Sequence, residues 1–441
     1  MSDELELTVQ SLGAEGDGIA TLAHGGTDGA RVYVPFALPG EVVRARVTPT
    51  PDGLQGTVVE ILKASPDRIA PACPNFKRCG GCVMEHLAPK PYAVWKRGLV
   101  VEALAHVGLG DAPIGDLASV PPQSRRRATF FAHRQPQSES GSGAVRLGFQ
   151  ARSSHDVIDF NDCAALSPAL LALLPPLRDL FARILPPGGR AEAMVNQLDD
   201  GLDLVMRTPG KLPAPIRQMF AEFAGARNLQ RLSWQSLVHN GPPTTPETVV
   251  SRRPAQVTFG KAQVALPPGA FLQATKEGER LLVEAVLAAF KGAKVKRIAD
   301  LFCGAGAFSF PLISVGSVHA IDGDAALVGA LRKGADASGI GNKLSTETRD
   351  LMKRPLIADD LKKFDAVVFD PPRAGASSQA GRLAASKIPL VVAVSCNPAS
   401  FARDAKLLVD GGYRLESVLP IDQFLWTPHL EVVGVFRRGK A

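Results

Sequence analysis

The chain of 441 residues is long enough for two or three domains, and its 45% hydrophobic and 21% charged residues are typical of a soluble globular protein. No apolar run is long enough to span a bilayer, and the acidic segment 1–6 lacks the basic and apolar regions of a signal peptide. We therefore expect a cytoplasmic protein. The net charge of +7 and the pI near 9.1 favour a polyanionic partner such as nucleic acid.

The segment 1–64 is predicted to form a small β-barrel. Strand-like segments alternate there with turn-forming clusters, at 5–12, 18–22, 31–34, 41–47 and 56–61. Five strands in about sixty residues fit a closed barrel of the OB type, which commonly binds oligonucleotides. A structural barrel without a ligand is the alternative.

Three closely spaced cysteines indicate a metal centre. Cys73, Cys79 and Cys82 lie among glycines and a proline, in a loop that can fold around a metal. In a cytoplasmic protein such cysteines favour metal ligation or catalysis over a disulfide scaffold. Four thiolates are the usual ligand set for a cubane iron–sulfur cluster or a structural zinc, so a fourth ligand must come from elsewhere. Cys163 is the candidate, and we assign 65–256 to one central α+β domain.

The same domain carries a basic run, 125–127, that enters a strand with Phe130 and Phe131. Basic side chains can bind phosphates and aromatic rings can stack on bases, so this run suits RNA binding. A strand directs one of the two rings into the core, which leaves at most one free. A solvated basic edge strand is the alternative.

From 257 to 441, strands and helices alternate as in a doubly wound parallel sheet. A strand at 295–302 leads into a glycine loop at 303–306, which lets the backbone pass close to a ligand. The loop lacks the third glycine of the dinucleotide fingerprint. Asp300 followed by Gly304 and Gly306 instead resembles the first motif of adenosylmethionine-dependent methyltransferases.

Acidic residues follow the next strands of this sheet. Asp322 comes about twenty residues after the glycine loop, where a carboxylate can accept both ribose hydroxyls of a bound nucleoside. Asp350 follows the third strand, where the methyltransferase family contacts the adenine end of its donor. Asp370 follows the fourth strand and begins the stiff segment 370–373, which contains two prolines.

Cys396 follows the buried strand 388–393, at the edge where open α/β sheets bind ligands, and a helix is expected from about Arg403. A thiolate that adds to carbon 6 of a pyrimidine creates an enolate that can attack a methyl sulfonium. A base must then remove the proton on carbon 5. Glu431, before the last strand, is the candidate base. A buried structural cysteine and a surface glutamate are the alternatives.

Together these segments resemble the bacterial RNA 5-methyluridine methyltransferases that carry a TRAM barrel and a 4Fe-4S cluster. The resemblance spans nearly the whole chain, through SLGAEGDGIA, CPNFKRCGGC, DFNDC, FLQ, DLFCGAGAFSFPL, FDPPR, SCNPASFARD and TPHLE. The chain departs from the family in Ala274 and Thr275, which follow FLQ, in Ser400, where threonine is common, and in Asp322, where glutamate is commoner.

The resemblance implies a Rossmann-like class I methyltransferase domain, an N-terminal OB-like TRAM barrel and a central α+β iron–sulfur domain. It implies S-adenosyl-L-methionine and a 4Fe-4S cluster as cofactors, and RNA as substrate, with ribosomal RNA favoured over transfer RNA. Cys396 matches the nucleophile and Glu431 the base. The remaining matches are donor-site positions, Gln273, Asp300, Phe302, Gly304, Gly306, Asp322, Asp350 and Asp370, and cluster ligands, Cys73, Cys79, Cys82 and Cys163. No obligate protein partner is expected, so we expect a monomer.

Three other functions compete with this interpretation. Radical adenosylmethionine enzymes resemble one another in a C-x3-C-x2-C loop, whereas this chain has C-x5-C-x2-C. A cytosine-5 RNA methyltransferase is expected to carry a cysteine beside the prolines of its fourth motif, and 370–373 has none. A non-catalytic RNA-binding protein would not need Cys396 and Glu431.

Overall fold

The computed structural model describes residues 4–22, 29–136, 143–237 and 244–439. The strands in these ranges are β1 (Glu4–Leu12), β2 (Gly18–Thr21), β3 (Arg31–Val34), β4 (Val42–Thr50), β5 (Gly53–Lys63), β6 (Ala118–Ser119), β7 (Arg127–Arg134), β8 (Val145–Gln150), β9 (Val157–Asp159), β10 (Arg190–Gln197), β11 (Leu202–Pro209), β12 (Arg231–Leu237), β13 (Glu247–Ser251), β14 (Gln256–Phe259), β15 (Ala262–Ala265), β16 (Arg297–Leu301), β17 (Ser317–Asp322), β18 (Leu344–Thr348), β19 (Ala366–Phe369), β20 (Leu390–Ser395), β21 (Tyr413–Asp422) and β22 (Glu431–Arg438). The helices are α1 (Pro89–His106), α2 (Pro168–Ile184), α3 (Ala214–Ala226), α4 (Lys276–Ala288), α5 (Ser309–Leu312), α6 (Ala325–Ala337), α7 (Ala358–Leu361), α8 (Ser377–Ala384) and α9 (Pro398–Asp410). None of these helices is long and apolar enough to cross a membrane.

The N-terminal strands form a closed barrel in the order β1-β2-β3-β5-β4, which confirms the predicted barrel. Apolar and charged residues alternate along β1 and β4, so every second side chain points into the barrel. The buried interior consists of Leu7, Val9, Ala20, Val32, Val34, Ala37, Val43 and Ala45. The short, alternating strands are therefore sufficient to close a small barrel around an aliphatic core.

A second sheet has the strand order β13-β12-β11-β10-β7-β8-β9 in the described part of the central region. Helices α2 and α3 pack against it through leucine and phenylalanine side chains. Phe130 on β7 is fully buried in this core and Phe131 is only half-buried, as the alternation of a strand requires. Strand β7 lies inside the sheet between β10 and β8, so it is not an edge strand.

The third sheet is the predicted doubly wound sheet, with the order β18-β17-β16-β19-β20-β22-β21-β6 among the described strands. Strands β16 to β20 run parallel, and β22 lies antiparallel to both β20 and β21. Helix α1 and strand β6 come from the first 120 residues and nevertheless pack on this sheet, with Val100 and Leu104 in its core. The carboxyl ends of the parallel strands all lie at one edge, and the candidate site is there.

Candidate active site

A cavity of about 570 Å³ opens at the carboxyl ends of the parallel strands. Both candidate catalytic residues line it, together with six of the eight expected donor-site residues: Gln273, Phe302, Gly304, Asp322, Asp350, Asp370, Cys396 and Glu431. These residues come from segments spread over about a third of the chain. The sheet topology brings them together, as expected for ligand sites of open α/β folds.

The two remaining donor-site candidates, Asp300 and Gly306, lie behind the cavity wall and shape the glycine loop. Asp300 is fully buried and accepts a hydrogen bond from the Ser309 hydroxyl. Burial raises the pKa of Asp300 to about 7. Gly306 has a φ of +101°, and a Cβ atom there would lie 2.8 Å from the Phe310 ring, so only glycine fits. Their effect on a ligand is therefore exerted through the loop.

The loop presents backbone groups and a carboxylate to the cavity. Phe302 has a φ of +61°, which is rare for a residue with a side chain and marks the sharp turn out of β16. The amide of Gly304 donates to Oδ2 of Asp322 at 2.9 Å, and the amide of Asp324 donates to Oδ1 at 2.8 Å. Each oxygen of Asp322 keeps a further lone pair for a ligand hydroxyl. Asp322 is therefore held in place and can still accept hydrogen bonds.

The sheet register sets Cys396 against Glu431. Ser395, the last residue of β20, pairs with Val432 on the antiparallel strand β22. Continuing this register by one residue brings Cys396 opposite Glu431, and both side chains line the cavity. A thiol and a carboxyl group thus face the same space from neighbouring strands.

Helix α9 begins at Pro398, five residues before the predicted start at Arg403. Proline is favoured at the first helical position because its fixed φ suits the helix and its missing N–H would be unpaired there. The Asn397 side chain caps the helix by accepting from the amide of Ala399 at 3.0 Å. Pro398 therefore starts the helix as well as ending the strand, and it holds Cys396 at a rigid strand-to-helix junction.

The cavity contains several buried acidic groups, and their negative charges raise one another's pKa values. Burial raises the pKa of Cys396 to about 11, the negative charges of Glu431 and Asp370 add to this, and Arg373 opposes it. Burial also raises the pKa of Glu431, and Asp370 adds to that shift. The pKa of Asp370 is raised by burial as well. Such groups cannot all ionise together without a nearby positive charge.

Several polar contacts at the site were not predicted from the sequence. Gln423 donates from Nε2 to Gln273 and to Glu431. Arg373 lines the cavity, and its guanidinium lies 2.9 Å from Nδ1 of His429. Both contacts depend on the positions of loops that only the folded chain brings together.

In the basic run 125–127, Arg126 is buried and the other two arginines are half-buried, and β7 is not an edge strand, so the solvated-edge alternative is wrong. Contact of the run with RNA phosphates stays a prediction. Arg126 is buried, donates from Nε to the backbone oxygen of Gln273 at 3.2 Å, and pairs with Glu279. The Arg127 guanidinium stacks on the exposed Phe271 ring at 4.2 Å, at the wall of the catalytic cavity. Arg125 points the other way and lines a second cavity.

That second cavity is small, and all four predicted cluster ligands line it: Cys73, Cys79, Cys82 and Cys163. Burial raises the pKa of each of the four thiols. In the part of the chain that the structure describes, no three Cys, His, Asp or Glu side chains are arranged to hold a metal ion. The opposite wall is formed by residues of the 423–427 segment, including Gln423. Gln423 therefore lines the cysteine cavity and also hydrogen-bonds to Gln273 and Glu431, which line the first cavity.

The family model and the related proteins that match this chain all indicate the same family. Residues 261–439 match the family model for tRNA (uracil-5-)-methyltransferases. An uncharacterized RNA methyltransferase of Brucella suis is 42% identical, over 99% of this chain and 98% of that protein. The 23S rRNA (uracil(1939)-C(5))-methyltransferase RlmD of Halomonas elongata is 33% identical, over 97% of this chain and 88% of that protein.

A solved structure has the same fold over almost the whole chain. The tRNA (uracil-54, C5)-methyltransferase of Pyrococcus abyssi, in complex with S-adenosyl-L-homocysteine, aligns with a TM-score of 0.73 at 20% identity. The alignment covers 98% of this chain and 100% of that chain. The chain therefore belongs to the family of RNA uracil-5 methyltransferases, which depend on S-adenosylmethionine.

Proposed function

We propose that this enzyme methylates carbon 5 of a uridine in ribosomal RNA through a covalent adduct between Cys396 and carbon 6 of the base. The main support is the strand register that sets Cys396 opposite Glu431 on the cavity wall. Ribosomal RNA is favoured because a relative with 33% identity is named for that substrate. The likeness to the Pyrococcus abyssi enzyme, at 20% identity, supports the fold alone.

In the proposed reaction, the Cys396 thiolate forms a bond to carbon 6, and the electron pair of the 5,6 double bond moves toward O4 as an enolate. S-Adenosylmethionine supplies the methyl group as a sulfonium with a positive charge. Carbon 5 bonds to the methyl carbon as the methyl–sulfur bond breaks, and the donor leaves as the neutral thioether S-adenosylhomocysteine. The Glu431 carboxylate then removes the proton on carbon 5. The carbon–sulfur bond breaks as the double bond re-forms, which regenerates the Cys396 thiolate.

The raised pKa values of Cys396 and Glu431 suit this sequence of steps. In the cavity without a ligand, burial keeps the thiol protonated at neutral pH. A positive charge beside these groups lowers their pKa values, so the anions form when the methyl donor is in place. The donor site proposed here consists of Gln273, Phe302, Gly304, Asp322, Asp350 and Asp370, with Asp300 and Gly306 supporting the loop.

Cys73, Cys79, Cys82 and Cys163 are proposed to hold a 4Fe-4S cluster. Four thiols line one small cavity, and the Arg125 guanidinium beside them can offset the charge of four thiolates. A single zinc with bonds of about 2.3 Å would need sulfurs that nearly touch, and no such arrangement is present in the described ranges. A polynuclear cluster, with one thiolate on each iron, tolerates wider spacing. The preference for iron–sulfur over zinc rests on the resemblance of the cysteine loop to that of the family.

The remaining assignments follow the same family. The barrel, 1–64, is proposed to bind RNA as a TRAM module, the region 65–256 to hold the cluster, and 257–441 to carry out methyl transfer. Because RNA is the substrate, the positive net charge of +7 is consistent with long-range attraction to it.

Two variants test the mechanism. Cys396→Ala is expected to abolish both methyl transfer and the covalent complex with 5-fluorouridine RNA, and retained turnover would exclude Cys396 as the nucleophile. Glu431→Gln is expected to transfer methyl but to accumulate the methylated adduct. If Glu431→Gln turns over normally, the base is another residue.

Two measurements test the substrate and the cluster. In a deletion strain, mass spectrometry of total RNA is expected to show loss of 5-methyluridine from ribosomal RNA and its retention in transfer RNA. The reverse pattern would contradict the proposed substrate. Protein purified without oxygen is expected to contain iron and sulfide in near-equal amounts, and zinc in their place would contradict the cluster.

A further inference from the structure

Gln423 lies directly after β21, between the catalytic cavity and the cysteine cavity. Its side chain is buried, as are those of Gln273 and Glu431. Nε2 of Gln423 donates to Oε1 of Gln273 at 2.6 Å and to Oε1 of Glu431 at 3.0 Å. Both N–H groups of one amide are thus directed at the two polar side chains of the catalytic wall.

The direction of the Gln423 amide follows from its third contact. Oε1 of Gln423 lies 3.4 Å from the backbone amide of Thr275, which can only donate a hydrogen bond. The amide oxygen must therefore face Thr275, and the nitrogen must face Gln273 and Glu431. This arrangement leaves Oε2 of Glu431 and Nε2 of Gln273 as the atoms that a ligand in the cavity can reach.

A glycine leaves room for this side chain. Gly278 occupies the first turn of α4, where glycine costs about 1 kcal/mol relative to alanine. A Cβ atom at Gly278 would lie 2.7 Å from Cβ of Gln423 and 2.8 Å from its Oε1. The close approach of Gln423 therefore accounts for a glycine that the helix alone would not favour.

We propose that Gln423 is a positioning residue for the proton-removal step, because it fixes the carboxylate of Glu431 and the amide of Gln273 relative to the bound base. This inference rests on the proposed role of Glu431 as the base. Glu431 accepts the proton from carbon 5 only after Cys396 has attacked and the methyl group has been transferred. Loss of Gln423 therefore slows the second half of the reaction more than the first.

The contribution of Gln423 is expected to be at least tenfold in rate. A hydrogen bond to a charged group contributes about 1.5–3 kcal/mol, and its removal leaves a buried acceptor unpaired. In Gln423→Leu, the Oε1 atoms of both Gln273 and Glu431 lose their donor. Both side chains are then free to rotate within the cavity wall.

The test resolves the two halves of the reaction in single-turnover experiments with a methyl-labelled donor and substrate RNA. The donor is supplied at a saturating concentration, because loss of the contact to Gln273 also affects the proposed donor site. Under that condition, label is expected to enter the protein–RNA adduct of Gln423→Leu within about twofold of the wild-type rate, while release of methylated RNA slows by about tenfold or more. The matched control is Gln379→Leu. Gln379 is an equally buried glutamine on helix α8 that hydrogen-bonds to the backbone of Leu356 and lines neither cavity. That control is expected to release product at the wild-type rate.

Gly278→Ala provides a second variant that keeps the glutamine but displaces it. Alanine has a higher helix propensity than glycine, so the substitution itself does not weaken helix α4. Accumulation of the methylated adduct is expected here too. If Gln423→Leu and Gly278→Ala both release product at the wild-type rate while Glu431→Gln accumulates the adduct, Gln423 has no positioning role. Glu431 then remains the proposed base. Normal release in Glu431→Gln would instead overturn the proposed base.

Discussion

Nζ of Lys96 lies 3.0 Å from Oδ1 of Asp422, and both side chains are completely buried. The hydroxyl of Tyr92 donates to the other carboxylate oxygen at 2.7 Å. Lys96 also donates to the backbone oxygen of His429. Helix α1 thus holds both ends of the segment 422–429, which lines the cysteine cavity and leads to Glu431.

Breaking this pair is expected to destabilise the protein strongly. Asp422→Asn leaves the Lys96 ammonium buried without a counter-charge, and such changes cost about 3–5 kcal/mol in the free energy of unfolding. The measurement is urea-induced unfolding followed by circular dichroism. Asp359→Asn is the control, because Asp359 pairs with Lys362 on the surface, and its unfolding midpoint is expected to match the wild type. Equal midpoints for both variants would contradict the structural importance of the buried pair.

The reactivity of Cys396 is expected to depend on Arg373. The guanidinium of Arg373 lowers the pKa of Cys396, against the larger effects of burial and of the carboxylates of Glu431 and Asp370. Arg373→Met therefore raises that pKa above about 11, so less thiolate is present at any given pH.

Alkylation of Cys396 by iodoacetamide, followed peptide by peptide with mass spectrometry, measures this thiolate directly. The rate is expected to rise with pH in both proteins, with the Arg373→Met curve shifted to higher pH. Arg403→Met is a suitable control, because Arg403 contacts Asp404 and the Ala374 backbone near the same segment. An unshifted Arg373→Met curve would contradict the assigned electrostatics.

Strands and loops that have a clear local sequence pattern were predicted well from the sequence. The barrel strands follow from a period of two, the glycine loop from glycines that the backbone requires, and the strand before Cys396 from a continuous apolar run. The strand ends then bring Asp322, Asp370 and Cys396 to one edge, because parallel strands of one sheet share that edge. Recognition of the site therefore needed only the order of the strands.

The contacts that support the site could not be predicted in this way. Lys96 and Asp422 are 326 residues apart, and a lysine in a helix is ordinarily expected to face solvent. The run at 125–127 was expected to be exposed because composition does not reveal that Gln273 and Glu279 pack over Arg126. Strand β6 has only two residues, which is too short for a periodic pattern.

The stabilisation that three buried carboxyl groups contribute is expected to fall as the pH rises from about 4 to about 8. The pKa of Asp300 is raised from an ordinary 3.8 to about 7, and those of Asp370 and Glu431 are also raised by burial. At these three groups the folded protein binds more protons than the unfolded chain over this range, so their contribution to the derivative of the unfolding free energy with pH is negative. The stabilisation is complete below the unfolded pKa values and is lost as the pH passes the folded ones. The lowered pKa of His86, which is caused by burial, contributes with the opposite sign.

Urea midpoints of the ligand-free protein between pH 5 and 8.5 measure this slope. Asp300→Asn removes one of the three titrating groups and keeps an oxygen that can accept from Ser309, so its slope is expected to be shallower. If the wild type and Asp300→Asn have the same slope, Asp300 is not protonated in the folded protein over this range.

Arg125 is expected to raise the reduction potential of the proposed cluster. Its guanidinium lines the cysteine cavity, where Cys82, Cys163 and Cys79 are the charged groups that act on it most. Reduction adds negative charge to the cluster, and a nearby positive charge stabilises the reduced form. Arg125→Gln is therefore expected to lower the potential by tens of millivolts in a redox titration followed by electron paramagnetic resonance.

Arg127→Gln is the matched control for this charge. It removes the same charge two residues away, but Arg127 stacks on Phe271 beside the catalytic cavity and does not line the cysteine cavity. Its potential is expected to stay close to that of the wild type. Equal shifts in the two variants would mean that the potential follows the net charge of the protein, and that the position of Arg125 against the four thiols has no special effect.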